Sequence, residues 1–282
     1  MEAESDSGLT HGDAIAWSLT LTLAFQFAVE ALVETVPSAG KDLVMLVGLQ
    51  VALYLSACAL FAGRRPGRNW SQLFAYRRTS VALLLVSLML GVALYVPADL
   101  LAALIEKRWP LPKELVEAHV ARITPRNFMH GTALAIVVAL AGPFVEELFF
   151  RGALYTGLRT KDRVFAAAGT SAALFTLSHL EPRTWPPILL IAIAITYLRV
   201  AGGSLWPGFL LHAGFNGTAI TMSFLSGGSP KFHTDSQLVA LSAAVACILL
   251  VLAVLIARRS ESAARARAVD EPPPLPSGPA LS

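Results

Sequence analysis

The chain has 282 residues, of which 55% are hydrophobic and only 15% are charged. Soluble domains carry roughly 25% charged residues, so this composition excludes an ordinary soluble protein and indicates that most of the chain lies in lipid. The net charge of +3 is too small to indicate a nucleic-acid surface, and it fits Lys and Arg residues in cytoplasmic loops. The two cysteines are too few for a disulfide scaffold.

Eight apolar stretches are long enough to cross a bilayer, which takes roughly 17 to 25 residues. In chain order they cover about residues 14–36, 43–62, 80–105, 131–159, 164–180, 185–200, 203–225 and 238–257. Because backbone polar groups cannot stay unpaired in hydrocarbon, each stretch must form a helix. The sixth stretch is the weakest, since it is short and lies between Trp185-Pro186-Pro187 and Gly202-Gly203. We therefore predict an all-α, polytopic membrane protein with about eight transmembrane helices.

The eight stretches form one transmembrane domain, residues 14–257, without an evident internal repeat. A short polar N-terminus, residues 1–13, precedes this domain. The tail, residues 258–282, is basic and rich in proline. Such a composition cannot bury a core, so we predict that the tail is disordered.

The distribution of Lys and Arg predicts the orientation of the chain. They cluster in loops 63–78 and 159–163 and in the tail, and with eight spans all three regions lie on the same side. By the positive-inside rule that side is cytoplasmic, and so are both termini. The long loop 106–129 then lies outside, either as an amphipathic surface segment or as a solvated connector. The Ala- and Arg-rich composition is typical of a bacterial protein, so we expect the bacterial inner (plasma) membrane.

Two adjacent carboxylates and an arginine interrupt the fourth apolar stretch, in the sequence Glu146-Glu147-Leu148-Phe149-Phe150-Arg151. Ionisable residues inside a span cost several kcal/mol, so they are candidates for function. Glu147 and Arg151 are four residues apart on a helix and predict an ion pair. Glu146 points about 100° away from Glu147, so it is not equally available to Arg151. The simplest interpretation is a structural pair, Glu147–Arg151, beside a free Glu146.

Two histidines lie at a similar depth in later stretches. His179 ends Phe175-Thr176-Leu177-Ser178-His179, and His212 lies four residues before Asn216, on the same helical face. Counting about 1.5 Å per residue from the cytoplasmic ends, Glu146 and His212 lie roughly 20 Å deep and His179 roughly 24 Å deep. A lone histidine in an apolar helix is usually a satisfied core residue. Three polar groups at one depth on three helices instead predict a shared site.

These motifs, Glu146-Glu147-x-x-x-Arg151, Phe175-x-x-x-His179 and His212-x-x-x-Asn216, resemble those of the CPBP family. This family, also called ABI, contains the type II CAAX prenyl endopeptidases and bacteriocin-processing intramembrane proteases. The resemblance covers about residues 130–220, and it implies an eight-helix fold with an intramembrane catalytic cavity. It also implies that Glu146 activates water together with His179, while His212 and Asn216 stabilise the oxyanion. Glu147 and Arg151 would support the site.

Whether the site needs a metal is a separate question. Glu146, His179 and His212 could form a zinc site of the two-histidine, one-glutamate type. However, the chain has no HExxH motif, and the three ligands would come from three different helices. We therefore predict that the reaction uses no cofactor, with zinc as the alternative.

Three functions compete at this stage. The first is an endopeptidase that acts on a membrane-anchored or lipid-tethered protein, trimming CAAX-like or C-terminal sorting signals, the latter as in myxosortases. The second is a non-catalytic membrane scaffold or immunity-type protein. The third is a transporter with Glu146 and the histidines as a proton relay, although a transporter is expected to show an internal repeat. We predict the endopeptidase, with the membrane and an anchored protein as its partners and no role for nucleic acid.

Overall fold

The computed structural model describes residues 8–65, 69–159, 163–226 and 235–270, with side chains up to residue 259. All regular structure in these ranges is helical, and no strand occurs in them. The start of the predicted polar N-terminus, most of loop 159–163 and the Pro-rich end of the tail lie outside the described residues.

Besides two short 3-10 helices, Pro37–Lys41 and Pro182–Thr184, the described residues form ten helical segments. They are α1 His11–Thr35, α2 Leu43–Gly63, α3 Trp70–Leu73, α4 Val81–Arg108, α5 Lys113–Ile123, α6 Phe128–Leu158, α7 Val164–Leu177, α8 Trp185–Gly202, α9 Trp206–Leu225 and α10 Ser236–Asp270. The last helix continues past residue 257, into the segment that the sequence assigned to the tail.

Side-chain caps fix where several of these helices begin. Thr10 and Asp13 form a reciprocal capping box at the start of α1. Asp42, Ser80 and Asn127 each accept a hydrogen bond from a backbone N–H in the first turn of α2, α4 and α6, respectively. These caps satisfy N–H groups that a helix end would otherwise leave unpaired at the edge of the apolar region.

All eight predicted apolar stretches are helical in the structure, which confirms an all-α integral membrane protein. Within the described ranges, six helices are long and apolar enough to span a bilayer: α1, α2, α4, α6, α8 and α10. The weak sixth stretch is among them, as α8. The other two stretches are α7, with only 14 residues, and α9, whose hydropathy is lowered by His212, Asn216 and three glycines. The two helices that are not among these six candidate spans are therefore the ones that position the motif histidines: His179 follows α7, and His212 lies in α9.

Contacts between loops sort the helix ends into two groups. Ser204 Oγ donates to the backbone carbonyl of Arg77 at 2.7 Å, which joins the α8–α9 connection to the loop before α4. At the other end of the bundle, Arg126 Nη2 lies 2.8 Å from Asp42 Oδ2 and joins the segment before α6 to the start of α2. These pairings agree with alternating passage through eight helices. The assignment of the first end to the cytoplasm stays a prediction.

Helices α4 and α9 approach each other closely. A Cβ atom at Gly91 would overlap the carbonyl oxygen of Leu211, and one at Gly214 would overlap the carbonyl oxygen of Leu88. Only glycine allows two backbones to come this close. Leu211 precedes His212, so this crossing sets the position of the third motif.

We expect Gly91→Ala to destabilise the protein by about 1–3 kcal/mol, because the added methyl group meets backbone atoms that cannot rotate away. The displaced α9 should also reduce activity. Thermal unfolding of the purified protein in detergent measures the first effect. Gly48→Ala in α2 is the matched control, since no heavy atom outside the local backbone lies within 4 Å of a Cβ placed there. Equal melting temperatures for the two variants would contradict the proposed close approach.

Candidate active site

The predicted ion pair between Glu147 and Arg151 is present and fully buried. Arg151 Nη1 lies 3.1 Å from Glu147 Oε1, and neither side chain has any exposed surface. The remaining guanidinium donors bind α8, with Nη2 donating to the Ala192 carbonyl at 3.2 Å and Nε to Thr196 Oγ1 at 3.3 Å. Such further hydrogen bonds help to offset the cost of burying the charged pair. Arg151 therefore ties α6 to α8.

Glu147 has a second partner that the sequence did not predict. His212 Nδ1 lies 3.0 Å from the same oxygen, Glu147 Oε1. Because the carboxylate can only accept, Nδ1 carries the proton and His212 Nε2 is left for another partner. The ion pair thus fixes the ring orientation of a histidine on a third helix.

Glu146 lies beside this pair in a different environment. Its Oε1 atom accepts a hydrogen bond of 2.6 Å from Nε2 of Gln50, a residue of α2. Its Oε2 atom lies 3.7 Å from His212 Nε2, too far for a hydrogen bond. The Glu146 side chain keeps 14% of its surface exposed, whereas Glu147 has none. The two adjacent glutamates therefore differ in partners and in access, as the sequence predicted from their helical spacing.

His179 follows the end of α7 and is exposed on the protein surface. Its Nδ1 atom donates to the carbonyl oxygen of Phe175 at 2.9 Å, which leaves Nε2 as a free acceptor. The described residues include no hydrogen bond between His179 and Glu146.

Phe175 is the residue that links the motifs. Its ring centroid lies 5.0 Å from that of His179 and 5.6 Å from that of His212, both in edge-to-face geometry. The Arg151 guanidinium carbon lies 4.3 Å from the same ring centroid. A cation at this distance is attracted to the ring, and edge-to-face packing fixes ring directions. Phe175 thereby sets His179, His212 and Arg151 relative to one another.

Asn216 donates a hydrogen bond to a backbone carbonyl group of α6 that lacks an N–H donor within the helix. This helix contains π-helical turns at Val137–Ala141 and Leu148–Leu154, on both sides of the glutamates. In the first turn the Gly142 N–H donates to Val137, and the next residue, Pro143, has no N–H for Val138. Asn216 Nδ2 supplies the missing donor, at 3.1 Å from the Val138 carbonyl oxygen. Its second amide hydrogen stays available.

In the second π-helical turn, too, a side chain from another helix donates to a backbone carbonyl group of α6. The Tyr155 N–H donates to Phe150 instead of Arg151, and Arg199 Nε donates to the Arg151 carbonyl oxygen at 3.2 Å. Arg199 lies three residues before the end of α8, and only 2% of its surface is exposed. It lies against α6 and pairs with backbone there. π-Helical turns are frequent at functional sites.

Sequence reasoning missed three contributors to the site. Gln50 is a polar residue in an apolar helix, a signal that was available, but nothing in the sequence connected α2 to Glu146. To predict the role of Arg199 and the π-helical turns, one would have to know which backbone carbonyl groups lose their N–H donors. Pro143, three residues before Glu146, was the visible sign of such a loss.

The metal alternative requires Glu146, His179 and His212 to converge on one point. In the parts of the chain that the structure describes, no group of three His, Cys, Asp or Glu side chains is arranged to hold a metal ion. His212 binds Glu147 through Nδ1, and His179 is linked to the other residues through Phe175. This arrangement does not fit a three-ligand zinc site, and metal-free catalysis stays a prediction.

Comparison with known proteins agrees with the motif resemblance. Residues 128–218 match the family model described as type II CAAX prenyl endopeptidase Rce1-like. This part of the chain is Rce1-like. The match runs from the start of α6 into α9 and includes every predicted site residue, whereas α1 to α5 and α10 lie outside it. No curated protein and no solved structure matches the chain.

We expect Glu147→Gln to lower the free energy of unfolding by about 3–5 kcal/mol, because it leaves the Arg151 charge buried without a counter-charge. Thermal or chemical unfolding in detergent measures the loss. Glu181→Gln is the matched control, since its ion pair with Arg183 spans 3.4 Å and leaves 40% of the Glu181 side chain exposed. Removing an exposed pair costs at most about 1 kcal/mol. Similar losses in both variants would contradict a structural role for the buried pair.

Proposed function

We propose that this protein is an intramembrane endopeptidase that hydrolyses a peptide bond in a membrane-anchored or lipid-tethered protein. The Rce1-like match supports the protease class and the membrane setting. The observation that carries the proposal is the contrast between the adjacent glutamates. Glu147 is fully buried and neutralised by Arg151, whereas Glu146 accepts a hydrogen bond from the neutral amide of Gln50 and keeps 14% of its side-chain surface exposed.

In the proposed mechanism, Glu146 is the general base. It takes a proton from a water molecule, and the oxygen of that water forms a bond with the carbonyl carbon of the scissile peptide. The C=O electron pair moves onto the oxygen. The Phe175 carbonyl oxygen holds the Nδ1 proton of His179, so the Nε2 atom can accept a proton and pass it to the amide nitrogen as the C–N bond breaks and the C=O bond re-forms.

The developing oxyanion needs donors where water is scarce. Asn216 has one amide hydrogen that is not used by Val138. His212, held at Nδ1 by Glu147, offers an N–H at Nε2 when the ring is protonated. We propose that these two groups stabilise the oxyanion, as the family resemblance implies. Donors that are already oriented toward the oxyanion lower the free energy of the transition state by several kcal/mol in a site that excludes water.

For the substrate, we propose a protein whose C-terminal segment is removed. A prenylated CAAX end is the substrate class that the description of the matching family names. A C-terminal sorting segment, as in myxosortase-like processing, is the second candidate and is favoured by the bacterial composition. We propose the inner membrane as location, with both termini cytoplasmic.

Glu146→Gln should reduce turnover by roughly 100- to 10,000-fold, because glutamine has a similar shape but cannot take a proton from water. The measurement is cleavage of a quenched, farnesylated CAAX peptide by full-length protein in liposomes. Mass spectrometry of membrane-protein C-termini, in cells that express wild type or variant, covers sorting substrates. Glu34→Gln, an exposed glutamate of α1, is the control and should keep full activity.

Cleavage by the Glu146→Gln protein equal to that by wild type would contradict Glu146 as the general base. Absence of cleavage by the wild-type protein would contradict the proposed protease. A scaffold or a transporter would give that result. A transporter would in addition lose proton-coupled uptake in the same variant.

The metal question is decided by elemental analysis. We expect wild-type protein to stay active after exhaustive chelation, with less than a stoichiometric amount of zinc, because Glu146 acts as a base and not as a ligand. About one tightly held zinc per active molecule, with activity restored only by zinc, would contradict the metal-free mechanism. In that case His179→Ala and His212→Ala should each lower zinc occupancy.

A further inference from the structure

Gln50 is a polar residue in α2, a helix whose other residues are mostly apolar. It is the only side-chain amide in α2, and it lies near the middle of the helix. Burying an amide without a hydrogen bond costs roughly 2–7 kcal/mol, depending on the reference state. A partner within the membrane is therefore required. Gln50 lies outside residues 128–218, so the family match gives it no role.

The partner of Gln50 is the proposed catalytic carboxylate. Gln50 Nε2 donates to Glu146 Oε1 at 2.6 Å, a short distance that is typical of a hydrogen bond to a charged acceptor. Tyr54, one turn later on α2, is buried and packs against Phe149 and Phe150, with ring centroids 5.5 and 6.3 Å away. This aromatic contact fixes the rotation of α2, so Gln50 faces Glu146.

We infer that Gln50 is a positioning residue that selects which oxygen of Glu146 acts as the base. This inference rests on the proposed function. With Oε1 occupied by the amide donor, the proton from water goes to Oε2. That oxygen lies on the side of His212, at 3.7 Å from Nε2. Without Gln50 the carboxylate could rotate, and the oxygens would exchange roles.

A neutral donor suits this task better than a cation. Arg151 shows the effect of a cation, because it pairs with Glu147 and fixes that carboxylate in a structural role. An amide orients Glu146 without cancelling its charge, which leaves the carboxylate able to take a proton. Titratable and charged groups near Glu146 are Tyr54 on α2, His212 on α9, and Glu147 and Arg151 on its own helix.

Two substitutions test the inference in full-length protein, with the farnesylated peptide as the probe. Gln50→Leu keeps the size of the side chain and removes the donor. We expect kcat to fall roughly 10- to 100-fold with little change in KM, as for a lost hydrogen bond to a charged group. The acidic limb of the activity profile should move to higher pH, because the lost donor favoured the charged carboxylate. Ser56→Ala, an exposed position of α2 whose hydroxyl bonds only its own helix, is the control.

Gln50→Glu gives the opposite pH behaviour. A carboxyl group at this position donates only while it is protonated, so activity should persist at acidic pH and fall as pH rises. A role limited to packing would lower the melting temperature of both variants and leave the shape of the pH profile unchanged. An unchanged profile in both variants would overturn the inference.

A measurement without turnover separates this inference from the proposed function. Infrared difference spectra over pH report the carboxyl band of Glu146, identified by its absence in Glu146→Gln. In Gln50→Leu the band should appear at higher pH than in wild type, whatever the substrate is. An identical titration in wild type and Gln50→Leu would overturn the role of Gln50. A shifted band together with no peptide cleavage by the wild-type protein would instead overturn only the proposed protease.

Discussion

The cost of a charge in lipid is the constraint on which this structure depends. Arg151 has no exposed surface, and its charge is compensated by Glu147 at 3.1 Å. A guanidinium has five N–H donors in a fixed plane, so compensation of its charge alone does not satisfy it. The remaining partners come from α8, and the ring face of Phe175 on α7 covers the group. Through His212, which binds the same Glu147 oxygen, the network also includes α9. One buried cation thus joins four helices.

The same requirement for satisfied polar groups explains the irregular backbone of α6. π-Helical turns shift hydrogen bonds and leave carbonyl groups without donors, which hydrocarbon does not tolerate. Asn216 donates to Val138 where Pro143 cannot, and Arg199 donates to the carbonyl of Arg151. Motif residues therefore have a structural function beside any catalytic one. Asn216 in particular uses one amide hydrogen for the helix and leaves the other for chemistry.

Sequence analysis was reliable where the signal is local. Apolar length predicted the helices, and the four-residue spacing predicted the Glu147–Arg151 pair, because both depend on neighbours along the chain. Contacts between distant helices were not predictable in this way. The bond from His212 to Glu147 and the bond from Gln50 to Glu146 join residues 65 and 96 positions apart.

Adjacent residues of one helix can have different functions only if different helices face them. Glu147 faces Arg151 and His212, so it is fully buried and neutralised. Glu146, rotated by about 100°, faces α2, which offers an amide and not a cation. The Rce1-like segment supplies the pair of glutamates, but α2 lies outside it and completes the surroundings of Glu146. A change in α2 could therefore alter the surroundings of Glu146 without any change in the motifs.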